Sequence, residues 1–154
     1  MRRGLELAVR ADVIFAGATG RFCHPEQAVI GNVTLLGGVY RMAERVGRAR
    51  AIEWALTSEQ VPAQVLEQYG GVNKVVEEAT AFAKKLAKGP TRAHAAHKAL
   101  LRVWAVDGIA AADEVLYDTA APLLETEDSK GALATAVKAF KAGTPRPPFD
   151  YTGR

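Results

Sequence analysis

Strand-forming runs in this 154-residue chain stop at residue 76, and the few that precede it cannot close a sheet by themselves. DVIFAG at residues 12–17 is rich in β-branched and aromatic residues and ends on glycine, which marks a strand. VNKVV at 72–76 reads as a second short strand. Short, partly buried strands need neighbours, and two of them make no stable sheet. The chain therefore reads as half of a larger α/β architecture.

The remainder is helical punctuation. Residues 4–11 predict a short helix entered through Gly4. Turn signals at Gly20, Pro25 and Gly31 break the stretch 18–36. Gly37 and Gly38 precede a helix that Gly47 should end, and a second helix is expected over 48–57. Pro62 opens another short helix, stopped by Gly70 and Gly71. From Glu77 onward the pattern is almost wholly helical, over 77–88, 90–108, 109–124 and 129–142. In the first of these, Ala79, Phe82, Ala83 and Leu86 follow the i, i+3, i+4, i+7 spacing of one buried face. The tail TPRPPFDYTGR is proline-rich and expected to be extended.

Charge and cysteine content exclude several functions. A net charge of +3 with dispersed basic residues is too weak for a nucleic-acid surface. Arg41, Arg45 and Arg48 share a helical face, which reads as a solvated face rather than a phosphate site. The single cysteine, Cys23, rules out an internal disulfide and fits a reducing, cytoplasmic setting. The N-terminal run MRRGLELAVRADVIFAG is not expected to act as a signal peptide, because Glu6, Arg10 and Asp12 interrupt its apolar stretch. No segment approaches the length of a membrane span. His94 and His97 stand i, i+3 on a helix but lack the third ligand of a zinc site. His24, two residues from Glu26, reads equally as a packing residue or as part of a site, and Cys23 as a small buried hydrophobe. Trp54 and Trp104 are expected in the core or at subunit contacts.

Taken singly, Glu6 in a first helical turn and Glu26 after a proline are ordinary surface residues. Their context is not ordinary. GLELAVRADVIFAG, RFCHPEQ, LLGGVYRMAERVGRARAIEWALTSEQVPA and YGGVNKVV, with a closing F-x-x-x-GR, follow one another in an order and spacing that resembles the enoyl-CoA hydratase/isomerase (crotonase) family. The resemblance covers nearly the whole chain. It implies a truncated crotonase-like α/β fold, with few short strands followed by a mostly helical C-terminal region. Residues 1–76 would carry the remaining core and the glutamate segments, and 77–154 a helical region serving oligomerisation.

The resemblance also implies chemistry. The family's two catalytic glutamates fall on Glu6 and Glu26, 26 − 6 = 20 residues apart as the family pattern requires. Adding water across a conjugated double bond needs a base for the water and an acid for the α-carbon. Two carboxylates supply both, and keeping both favours hydration over isomerisation. Arg3, Gly4, Leu35, Leu36 and Gly37 fall where the family binds the thioester and its acyl chain. The expected ligand is an acyl-CoA substrate with no further cofactor and no metal, and the expected assembly a homo-oligomer, a trimer or hexamer.

The pattern departs from the family in the turn before Glu6, where Arg2 and Arg3 replace glycines and only Gly4 remains. That turn supplies one N–H of the family's oxyanion hole, and the other comes from a segment upstream of this sequence. The expectation is therefore a chain weak or inactive alone. The rival reading is a non-catalytic fragment acting as an oligomerisation or interaction module.

Overall fold

A computed structural model describes residues 4–77 and 79–154. The chain divides into two compact units, Met1–Ala79 and Thr80–Arg154.

The first unit begins with α1, Gly4–Ala8, and β1, Phe15–Ala16. Then come β2, Arg21–Phe22; α2, Glu26–Ile30; α3, Gly38–Val46; and α4, Arg48–Thr57. β3, Val61–Pro62, α5, Ala63–Gln68, and β4, Lys74–Val75, complete it. β1 pairs in parallel with β4, with Phe15 opposite Lys74 and Ala16 opposite Val75. Asn73 locks this register from both sides. Its backbone N–H donates to the Ile14 carbonyl, and its Oδ1 accepts the Ile14 N–H, each at 2.8 Å. β2 pairs antiparallel with β3, Phe22 opposite Val61. Both pairings last two residues, so DVIFAG yields a strand only at its last apolar pair.

The core of this unit gathers Val9, Ile14, Ala16, Met42, Trp54, Val61, Leu66 and Val72 from seven segments. Met42, Leu66 and Val72 are fully enclosed; burying each is worth about 1.5–3 kcal/mol. Glycines set the helix boundaries. Gly37 stands at φ +78° before α3, and a Cβ there would strike the Tyr40 hydroxyl and the Arg41 guanidinium. Gly47, at φ +83°, separates α3 from α4 where the sequence places the break. Arg50 lies 3.9 Å from the centroid of Tyr69, whose ring meets Trp54 edge-on at 6.3 Å, pinning α4 to the end of α5. Arg45 donates to the carbonyls of Ala11 and Asp12, so the arginine face is in part structural.

The second unit holds α6, Thr80–Ala87; α7, Thr91–Leu124; and α8, Glu127–Lys141. α7 runs through the two helices expected over 90–124, bent at Gly108, whose φ of 87° and ψ of 178° are not helical. The buried face expected on α6 does not form: none of its residues is buried, and Phe82 and Leu86 are exposed. The periodicity marks a face that can be covered, but it does not become part of a buried core. Trp104 on α7 is likewise exposed, whereas Trp54 is in the core. α8 starts two residues earlier than its spacing suggests, because the Thr126 hydroxyl caps it by accepting the Ser129 N–H at 3.1 Å. The extended tail folds back on α8. Phe149 packs on Gly131, and Thr152 and Gly153 donate to the Asp128 carboxylate at 2.7–3.0 Å.

Candidate active site

Glu6 lies in the only turn-and-a-half of α1, yet it is 5% exposed. Its Oε1 accepts the Leu36 backbone N–H at 2.9 Å, across the fold from its own helix. Glu26 opens α2 directly after Pro25 and is 9% exposed. Neither is the solvated residue that its local sequence would suggest. A carboxylate enclosed to this degree needs partners. Glu6 has one, while Glu26 Oε2 is buried with no hydrogen-bond partner among the described residues.

His24 stands with them, 3% exposed. A Cβ placed on Gly38, the first residue of α3, would lie 2.8 Å from His24 Cε1 and 3.1 Å from Glu6 Cγ. The imidazole and the Glu6 side chain therefore press on the same point of α3, and Gly38 is the residue that leaves them room. Burial pushes the imidazole below its ordinary value of 6.5, against the opposing pull of Glu26 and then Glu6. His24 is thus neutral near pH 7 while sensing both carboxylates. Both of its ring nitrogens lack a partner among the described residues. Beside it, Cys23 is partly buried, and desolvation first, then the Glu26 charge, push its thiol above the usual 9.0. A thiol so held is no nucleophile.

Glu26 and His24, with Gln27, Asn32 and Thr34, are the polar residues lining a cavity of about 480 Å³. Val33, Val39, Tyr40, Ile52, Ala55 and Leu56 supply its apolar wall. The shape fits a small apolar group with a polar atom at one end. Thr34 orders its rim by accepting the Val39 N–H at 3.3 Å.

Of the residues singled out from sequence, Glu6 and Glu26 are brought together around His24. Gly37 shapes the turn into α3, and Leu36 touches the site through its backbone N–H. The Leu35 and Leu36 side chains are exposed and do not line this cavity. Gly4 begins α1, and Arg3 lies outside the described residues. Sequence reasoning did not find Ile52 and Leu56, whose i, i+4 spacing on α4 was the available signal. His97 bonds only to the Ala93 carbonyl of its own helix, and among the described residues no three His, Cys, Asp or Glu side chains gather as a metal site would require. No helix among them is long and apolar enough to cross a membrane. A second cleft, of about 350 Å³, lies in the helical unit beside Arg92, Asp128 and Arg146, but its carboxylate is occupied by the tail.

An α/β core of short strands, followed by long helices and with two buried glutamates twenty residues apart, defines a crotonase-type chain. Residues 3–141 match the family model described as Enoyl-CoA hydratase/isomerase, and the chain belongs to that family. It is 32% identical over 149 residues to the mitochondrial enoyl-CoA hydratase of Pongo abelii, covering 90% of this chain and 50% of that protein. Among solved structures, a probable enoyl-CoA hydratase/isomerase from Mycobacterium abscessus superposes with a TM-score of 0.81 at 27% identity, over 98% of this chain and 58% of the other. The enoyl-CoA hydratase of Mycobacterium tuberculosis H37Rv gives 0.77 at 28%, over 96% and 58%. The chain thus spans about half the length of the relatives it matches.

Proposed function

We propose that this chain carries the acid–base pair of an enoyl-CoA hydratase or isomerase, with Glu6 and Glu26 acting on an acyl-CoA thioester. The observation that carries the reading is the enclosure of both carboxylates near one histidine, with Glu26 and His24 lining a largely apolar cavity. Water addition to a 2-enoyl thioester is favoured over isomerisation, because two carboxylates are kept where one would move a single proton. Glu6, oriented by the Leu36 N–H, suits the base that activates water; Glu26, with a free buried oxygen, suits the acid that meets the α-carbon. Gly4 and the Leu35–Leu36–Gly37 turn are assigned to the thioester side; Arg3, given the same role from the sequence, lies outside the described residues. No metal or other cofactor has a part in this scheme.

The 154 residues by themselves are proposed to turn over slowly. General acid–base catalysis contributes about 10²–10⁴-fold, and loss of one oxyanion donor costs about 10²–10³-fold. In the family the second donor and much of the CoA surface belong to the half of the relatives' length that these residues do not span, and remote binding energy positions the reacting atoms. Self-association into a trimer or hexamer through the helical unit, in a cytoplasmic setting, completes the proposal. Exposed Leu101, Trp104 and Ile109 on α7 equally support the second reading, an interaction module without catalysis.

Crotonyl-CoA hydration by purified chain of confirmed intact mass decides between them. A slow rate that Glu26→Gln removes supports the enzyme. A rate indistinguishable from that of Glu26→Gln supports the module.

A further inference from the structure

The cleft in the second unit has a chemistry unrelated to the glutamate pair. It holds about 350 Å³ between the two ends of α7, one face of α8 and the tail. Arg92 lines it from the first turn of α7, and Arg146 and Tyr151 line it from the tail. Its one acidic residue is already engaged. Asp128 accepts from the Thr152 N–H and hydroxyl and from the Gly153 N–H, at 2.7–3.0 Å. The Thr126 hydroxyl is engaged too, accepting from the Ser129 N–H and donating to the Leu123 carbonyl. Arg92, by contrast, has no ion-pair partner among the described residues. Arg146 donates to the Tyr151 hydroxyl at 3.0 Å, which leaves that hydroxyl's own proton and the rest of the guanidinium's donors unused among the described residues. What Arg92, Arg146 and Tyr151 lack is therefore an acceptor.

The charges lining the cleft narrow that acceptor. Two guanidiniums stand against one carboxylate. The tail's bonds, the Thr152 N–H first, keep Asp128 ionised by holding its carboxyl below the ordinary range. One positive charge is left over, which a monoanion balances and a dianion exceeds. A carboxylate suits the planar guanidinium fork, because its two oxygens accept two N–H bonds side by side. The rest of the wall is largely apolar, with Ala93, Leu123, Ala132, Leu133 and Ala136. Leu133 is 64% exposed, and a chain lying along α8 would cover it. We infer that this cleft binds a small monocarboxylate with an apolar chain, the carboxylate held by Arg92 and Arg146 and the chain laid on α8. The ligand class is a free fatty acid of short to medium length, in keeping with a cleft at the small end of ligand sites. The Tyr151 O–H supplies a third donor. The site is independent of Glu6 and Glu26, which lie in the other unit.

Titration calorimetry on the full 154-residue chain tests it, with methyl and ring NMR signals to place the ligand. The probes are octanoate, octan-1-ol, which lacks the charge, and acetate, which lacks the chain. Octanoate should saturate and move the Ala132 and Ala136 methyl signals and the Tyr151 ring signals. Octan-1-ol and acetate should each bind at least tenfold more weakly. Arg92→Met keeps an apolar stem and removes the charge, so it should weaken octanoate about tenfold and leave octan-1-ol unchanged. Arg146→Met should do the same. It also removes the bond to Tyr151, so amide protection at Thr152 and Gly153 reports whether the tail has stayed in place. If the tail comes loose in that variant, Arg92→Met alone decides. Octanoate that does not saturate in the millimolar range overturns the inference. So does octan-1-ol binding as tightly as octanoate, an unchanged octanoate affinity in a folded Arg92→Met, or shifts confined to the first unit.

Discussion

The Leu36 backbone N–H donates to Glu6 Oε1 at 2.9 Å, which ties the first helix of the chain to the turn before α3. The bond fixes where the carboxylate points, and it does so through backbone, so it tolerates any residue at position 36 except proline.

Removing that acceptor has a cost that is separable from chemistry. Glu6→Ala should destabilise the first unit by about 1–3 kcal/mol, the worth of a hydrogen bond to a charged group together with the lost packing on Gly38. Glu6→Gln, which keeps an acceptor oxygen at the same reach, should lose less than half of that. Urea melts followed by Trp54 fluorescence read both. Equal losses would mean that packing alone matters there.

The tail of the second unit makes a pH prediction with a definite sign. Asp128 accepts from the Thr152 N–H, the Thr152 hydroxyl and the Gly153 N–H, and the Thr152 backbone bond is the largest influence holding its carboxyl below the ordinary 3.8. A depressed folded value means that the clasp contributes fully above the unfolded value and is lost as pH falls through the folded one. Amide exchange at Thr152 and Gly153 should therefore be protected at neutral pH and stay protected until pH drops below about 3.8. Asp128→Asn should exchange faster at neutral pH and show little further change on acidification. Protection that vanishes between pH 5 and 6 would refute the clasp.

Helix boundaries were legible in the sequence because glycine and proline write them locally. Gly47 between α3 and α4, Pro62 before α5 and Gly108 inside α7 sit where the chain breaks, each for a backbone reason. What the sequence left open depended on contacts between distant segments. The stretch 18–36 read as turns, yet it contains α2, beginning at Glu26, and places His24 beside a glutamate eighteen positions away. Periodicity gave α6 an apolar face but could not say whether anything in the chain lies on it. The glutamate pair was visible only through family resemblance, since each is unremarkable in its own window; their enclosure is tertiary.

The exposed apolar residues of α7 should make the chain self-associate. Leu101, Trp104, Val106 and Ile109 are all more than half exposed, a density unusual for a free surface. Replacing Leu101 and Ile109 together with glutamate should weaken association at least tenfold, since buried charges at an interface core cost more than 1 kcal/mol each. Sedimentation velocity across a concentration series measures it. A wild-type chain that remains monomeric at high concentration would remove the oligomer from the proposal.

Gly38 and His24 should behave as one unit. A Cβ on Gly38 would stand 2.8 Å from His24 Cε1 and 3.1 Å from Glu6 Cγ, closer than carbon atoms pack. The helix itself would gain from alanine, by up to about 1 kcal/mol. The enclosed ring cannot yield as an exposed side chain would, so overpacking should dominate, and Gly38→Ala should cost about 1–3 kcal/mol net. In a His24→Ala background the nearer obstacle is gone, and the same substitution should cost little or become stabilising. The coupling between the two changes should then reach about 1–2 kcal/mol, well above the additivity expected of separate sites. Chemical denaturation of the four proteins in the cycle gives the number. Additive costs would mean that the imidazole does not rest on α3, and the placement of His24 beside Glu6 would fall with it.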